Sequence, residues 1–248
     1  MENFNEKNEL PEYELNITIT RHGPRQKDDM LGQTVEMKRE SFYKTLDDYD
    51  GVAVGVKPDK IARKAVSSPK QRAIDTLQAR QEALAHYGAK PVPVEIEEKL
   101  SEGGMDYYNN LPEEEKEKWF EKWYGSPNKP DPGVSTGKEV AAAFSIWLLR
   151  EIDEAKTSGG KHETDGTSHC PAMAAFILSL EEKLGELIIS KTIDGKNRFD
   201  PKWLDQIIPP MGSFNISASS KSPDSISLYF AGKSVNVPLS AIRELAEA

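Results

Sequence analysis

A chain of 248 residues is long enough to bury a full hydrophobic core, and one large domain with or without an insertion suits it better than two equal domains. Lys and Arg number 32 against 41 Asp and Glu, a net charge of -9, which disfavours nucleic acid or an anionic membrane as the main partner and confines any anion site to a local patch. The one cysteine, Cys170, excludes an intrachain disulfide, the polar acidic stretch 1–14 lacks the regions of a secretion signal, and no apolar run approaches the roughly 18 residues of a membrane span, so the sequence reads as cytoplasmic.

Tyr13, Leu15, Ile17 and Ile19 alternate with polar residues, the period-two signature of a strand, and the pattern stops at Arg21-His22-Gly23-Pro24. Thr34 suits a helix cap, and Val35, Phe42 and Leu46 follow near helical spacing, which predicts a helix over 34–47. Val66 leads into Ser67-Ser68-Pro69, where Ser68 suits the N-cap and Pro69 the first helical position. Ile74, Leu77, Leu84 and Tyr87 then share a face until Gly88, which places Arg72 in the first turn. Residues 90–97 alternate around prolines as a short extended segment, and the loop Leu100-Ser101-Glu102-Gly103-Gly104 follows.

Leu111-Pro112 opens a charged helix carrying Trp119, Phe120, Trp123 and Tyr124, which ends in the breaker-rich 125–133. The stretch 105–133 reads as a helical insertion in a single domain spanning 1–248. Ser135-Thr136-Gly137 precedes a strongly apolar helix with Val140, Phe144, Trp147, Leu148 and Ile152. The segment 157–166 is polar, Gly-rich and without an apolar strand pattern. Pro171 begins another helix, with Met173, Phe176, Ile177, Leu180 and Leu184 on its buried side. The C-terminal stretch reads mostly as loop with two or three short strands, the clearest at 225–230 and 234–239. Repeats are absent, and the alternation of strands and helices predicts a layered α/β domain.

Three strand-end or helix-start segments carry groups suited to phosphate: Arg21-His22-Gly23 with Arg25, Arg72 after Ser67-Ser68-Pro69, and Ser168-His169 before the helix opened by Pro171. In open α/β sheets ligands sit beyond the carboxyl ends of strands, where helix N-termini add N–H donors and a favourable dipole. Arginine forks fit phosphate oxygens, and two histidines can divide the work of nucleophile and charge stabiliser.

In this order the segments resemble the histidine phosphatase, or phosphoglycerate-mutase-like, superfamily. Thr20-Arg21-His22-Gly23 looks like its signature, and Ser67-Ser68-Pro69 with Gln71-Arg72-Ala73 and Thr76 is similar to its second motif. Leu100-Ser101-Glu102 resembles the loop carrying its acid, and Thr167-Ser168-His169 stands where its second histidine belongs. The resemblance implies a three-layer α/β/α sandwich with a mostly parallel central sheet. It also implies a phosphatase that hydrolyses a phosphomonoester, carried by a small molecule or a phosphoprotein, through a phosphohistidine at His22. Arg21, Arg72 and His169 would grip the phosphate oxygens, with Arg25 as a further phosphate ligand of the acid-phosphatase type. Neither cofactor nor metal is implied.

Cys170-Pro171 follows His169 where the acid-phosphatase branch has its acid, which leaves Glu102 as the candidate proton donor, with a plain acidic loop residue as the alternative. Asp28 stands where mutases have asparagine, and Pro24-Arg25 replaces the usual Glu-Ser, so a mutase-type isomerase is disfavoured. A non-catalytic member of the fold that binds phosphorylated ligands or a protein is the rival of a different class. Cys170 reads as a small buried apolar residue, and His162, Asp165, His169 and Cys170 match no standard zinc spacing. The aromatic helix within 112–124 fits either a lid over the pocket or an element packed on the core.

Overall fold

The computed structural model describes residues 11–23, 61–85, 90–103, 111–125, 133–185, 188 and 208–248. In chain order these form β1 (Tyr13–Arg21), β2 (Ile61–Ser67), α1 (Gln71–Ala85), β3 (Val94–Ile96), a 3-10 turn (Glu98–Leu100), α2 (Glu113–Gly125) and α3 (Gly137–Ser158). They continue with β4 (Gly160–Ser168), α4 (Cys170–Leu184), β5 (Ser213–Ser219), β6 (Ser225–Phe230), β7 (Lys233–Pro238) and α5 (Leu239–Ala246). The predicted helix at 34–47, and with it Arg25 and Asp28, lies outside the described residues.

The strands form one sheet in the order β3-β2-β4-β1-β5-β6-β7. Its β3-β2-β4-β1 half is parallel, and β5, β6 and β7 continue it antiparallel, so the sheet is mixed. The register pairs Thr167 with both Thr20 and Ser67, so β1, β2 and β4 end level with one another. This places the three sequence motifs side by side at one edge of the sheet.

Helices cover both faces, as the layered reading predicts. Side chains alternate along a strand, and on β4 Thr164 bonds to Glu151 of α3 while Asp165 and Thr167 meet Arg80 and the Ala73 carbonyl of α1. The odd-numbered residues Tyr13 to Ile19 of β1 enter the core with α3 and α4. Phe144, Phe176 and Phe214 interlock there, the first two with centroids 4.5 Å apart and each about 6 Å from Phe214, and α5 adds Leu239, Ile242 and Leu245. Trp119, Phe120, Trp123 and Tyr124 of α2 are buried in the same core, which assigns these four rings to packing. Thr136 caps α3 in a reciprocal capping box with Glu139.

Three local expectations are corrected. The segment at 157–166, read as strandless, contributes most of β4, a central strand. Burial of so polar a strand is tolerated because its groups are bonded: Thr164 to Glu151, Asp165 to Arg80, Thr167 to Ser67 and Ala73, and Ser168 to the Leu100 carbonyl. Gly166 serves packing, since a Cβ there would meet Ile19 Cδ1 at 2.5 Å. Helix α1 begins at Gln71, not Pro69, because Ser68 turns its hydroxyl to His169 instead of capping the helix. Near the C-terminus the strands expected at 225–230 and 234–239 are present as β6 and β7, while β5 and α5 occupy residues read there as loop, α5 starting directly after Pro238.

β2 interrupts its own hydrophobic pattern with Arg63 and Lys64. Lys64 is held by Glu151 and Glu154 of α3 at 2.9 Å each. Among the described residues no helix is long and apolar enough to cross a membrane.

Candidate active site

The ends of the three parallel strands are stitched through their backbones. His22 donates its N–H to the Ser168 carbonyl at 3.0 Å, and Ser68 donates to the Thr167 carbonyl at 3.0 Å. Glu97 donates to the Ser67 carbonyl at 2.8 Å, which ties the turn bearing Glu102 to the end of β2. His22, Ser68, Glu102 and His169 are all buried, at 6%, 0%, 3% and 0% exposure.

Arg72 is the hub. From the first turn of α1 its Nε donates to His22 Nε2 at 3.1 Å, while Nη2 reaches Glu102 Oε1 at 2.9 Å and His169 Nδ1 at 3.1 Å. A guanidinium has no acceptor, so both ring nitrogens facing it must offer lone pairs. For His22 this agrees with Nδ1, which lies 2.6 Å from the Gly23 carbonyl and must donate to it. His22 therefore carries its proton on Nδ1 and presents an unprotonated Nε2 to Arg72. The two imidazole centroids are 5.0 Å apart, and Glu102 Oε2 lies 3.5 Å from His169 Nδ1.

The supports of these groups are local. Thr76 Oγ1 donates to the Arg72 carbonyl at 2.8 Å and accepts the Gly23 N–H at 3.0 Å, so one hydroxyl joins the histidine loop to the arginine helix. Gly103, with φ of +70°, follows Glu102, and a Cβ there would lie 2.6 Å from Val140 Cγ2. Its carbonyl accepts the Ser135 N–H, and the Ser135 carbonyl accepts the Trp123 ring N–H, which braces the Glu102 loop against α2. Glu97, at the start of the same turn, accepts the Lys99 N–H and pairs with Arg150. Burial alone would raise its pKa; the Lys99 N–H and the Arg150 guanidinium outweigh that and hold the carboxyl below its usual value.

His22, Arg72, Glu102 and His169 are thus brought together. Arg21 ends β1 with its backbone N–H on the Gly212 carbonyl and Nη1 on the Ile208 carbonyl, a tie to the 208–212 segment that the sequence does not reveal. Arg25 lies outside the described residues. Ser68, read from sequence as a helix cap and as part of the second motif, sits 2.6 Å from His169 Nε2. The zinc quartet is not assembled: His162 turns Nε2 to the Gly159 carbonyl, and Asp165 pairs with Arg80. Among the described residues no cluster of three or more metal-ligating side chains occurs.

Residues 52–186 match the model of the histidine phosphatase superfamily (branch 1), a segment containing Ser68, Arg72, Glu102 and His169. The chain belongs to the histidine phosphatase superfamily. The match starts beyond His22, which reaches the other residues through the geometry of β1 and its contact with Arg72. The fold is also that of solved structures. Bacillus stearothermophilus YhfR superposes with a TM-score of 0.55 at 10% identity, over 88% of this chain and 97% of that one. Mycobacterial hydrolase 1 does so with a TM-score of 0.51 at 16% identity, over 90% of this chain and 100% of that one. Among curated protein sequences no relative matches this chain.

Proposed function

We propose that the protein hydrolyses a phosphomonoester through a phosphohistidine formed on His22. The observation that carries this reading is the single guanidinium of Arg72, which faces His22 Nε2, His169 Nδ1 and Glu102 at once. A phosphate entering there meets a base at phosphorus, a cation at its oxygens and a carboxyl group beside them. Phosphoryl transfer asks of a protein chiefly positioning and charge stabilisation, which these groups supply without a metal.

In the first step the His22 Nε2 lone pair attacks phosphorus, the N–P bond forms and the P–O bond to the leaving group breaks. The leaving oxygen takes a proton from Glu102. The Nδ1–H bond to the Gly23 carbonyl holds the ring while its nitrogen acquires charge. In the second step water gives a proton to Glu102 and attacks phosphorus, releasing inorganic phosphate and restoring His22. Arg72 and His169, with Arg21 and Arg25 as further candidates, bind the phosphate oxygens. Repulsion between the incoming dianion and an ionised carboxylate favours the protonated acid when substrate is bound. We place the enzyme in the cytoplasm, acting on a phosphorylated small molecule or phosphoprotein.

Brief incubation with a radiolabelled phosphomonoester tests this. Acid-labile, base-stable label is expected on the wild type and none on His22→Ala, with turnover unaffected by EDTA. Acid-stable label, or label persisting in His22→Ala, refutes the mechanism.

A further inference from the structure

We infer that Ser68 is a positioning residue for His169: its hydroxyl receives the Nε2–H of the imidazole and so turns Nδ1 toward Arg72 and Glu102. On the phosphatase reading above, on which this rests, that is the side where a phosphate oxygen is held.

Ser68 Oγ lies 2.6 Å from His169 Nε2, and neither residue is exposed. The other ring nitrogen faces Arg72 Nη2 at 3.1 Å and Glu102 Oε2 at 3.5 Å. Because Arg72 can only donate, Nδ1 of the neutral ring is the acceptor, its proton is on Nε2, and Ser68 is the partner that takes it. Rotating the ring by half a turn would set carbon atoms against both Ser68 and Arg72, removing the Arg72 contact and leaving the buried Ser68 hydroxyl without its imidazole partner.

The backbone of Ser68 is itself held from two strands. Ser68 N–H bonds to the Thr167 carbonyl of β4, and Ser67 Oγ donates to the Ser68 carbonyl. When phosphate binds, His169 can take a second proton on Nδ1 and donate it to a phosphate oxygen, while Ser68 accepts from Nε2 in both ionisation states. Among the described residues the charged and titratable groups seen facing the ring are Arg72 from α1, Glu102 from the loop after the 3-10 turn and His22 from the end of β1. The chain Glu102, His169, Ser68 has the connectivity of a serine-hydrolase triad, yet the hydroxyl is shut from solvent and Arg72 occupies Nδ1. Its role is to hold the ring, not to attack.

Ser68→Ala removes the acceptor, and Ser68→Cys keeps the size with a weak acceptor. Long-range proton–nitrogen correlation spectra of the histidine rings, recorded without substrate, are expected to show His169 protonated on Nε2 in the wild type. Both variants are expected to shift toward the Nδ1–H tautomer or a mixture, and kcat/KM for p-nitrophenyl phosphate is expected to fall about tenfold, as the loss of one buried hydrogen bond allows. A folded variant that keeps the Nε2–H ring, or keeps kcat/KM within about twofold of wild type, overturns the inference. If the wild type itself releases no phosphate from any monoester, the phosphatase reading fails, and the ring spectra still decide whether Ser68 holds His169.

Discussion

Arg72 Nε stands 3.1 Å from His22 Nε2, although 50 residues separate them in the chain. The contact arises because β1 and β2 both flank β4 and end level with Thr167, so the loop after β1 and the first turn of α1 open at one point. The same guanidinium holds Glu102 at 2.9 Å, and the proposed roles of base, cation and acid can be separated by substitution at this one centre.

The general acid is tested by leaving groups. Protonating a poor leaving group contributes roughly 100- to 10,000-fold, and much less is needed for a phenolate. Glu102→Gln is therefore expected to depress hydrolysis of an alkyl phosphate strongly while sparing p-nitrophenyl phosphate. Arg72→Ala is expected to slow both by about 100-fold or more, because it removes charge from the transferring phosphoryl group. Steady-state kinetics on the two esters checks this, and equal losses in Glu102→Gln return that residue to a loop role.

The packing of β4 on β1 is tested at Gly166. Its Cβ would fall 2.5 Å from Ile19 Cδ1 and 3.3 Å from Val66 Cγ2, both of them core side chains. Gly166→Ala is expected to cost about 1–3 kcal/mol by overpacking. Urea unfolding followed by circular dichroism measures it, and a stability equal to wild type means that the strands separate more easily than this packing implies.

The pair between Glu97 and Arg150 carries a pH dependence. A carboxyl whose folded-state pKa is depressed releases its proton more readily folded than unfolded, so its stabilisation is present in full above the ordinary carboxyl pKa and is lost as pH falls through the lower folded value. Glu97→Gln is expected to be less stable than wild type at neutral pH, and the gap should close as the pH falls below the ordinary carboxyl range. Urea midpoints at several pH values check the sign. A gap that widens on acidification contradicts it.

Amino-acid order alone marked out the candidate groups and several of the elements that carry them. The alternation from Tyr13 to Ile19 is enough for β1, and Arg21-His22-Gly23 together with Ser68-Pro69 and Arg72 marks the family, because strand period and short motifs are local properties. Thr136 and Pro171 announced the starts of α3 and α4 for the same reason, since capping groups act within one turn. Strand β4 could not be read in this way. Its Thr164, Asp165, Thr167 and Ser168 become acceptable inside a sheet only when Glu151, Arg80, Ala73 and Leu100 arrive from distant segments to bond them. Ser68 was ambiguous for a related reason: locally it suits a helix cap, and only the neighbouring end of β4 offers His169 as the stronger partner, 101 residues away. The tertiary structure decided the destinations of these polar groups because a hydrogen bond depends on which groups share a buried space, and strand order, not sequence distance, sets that.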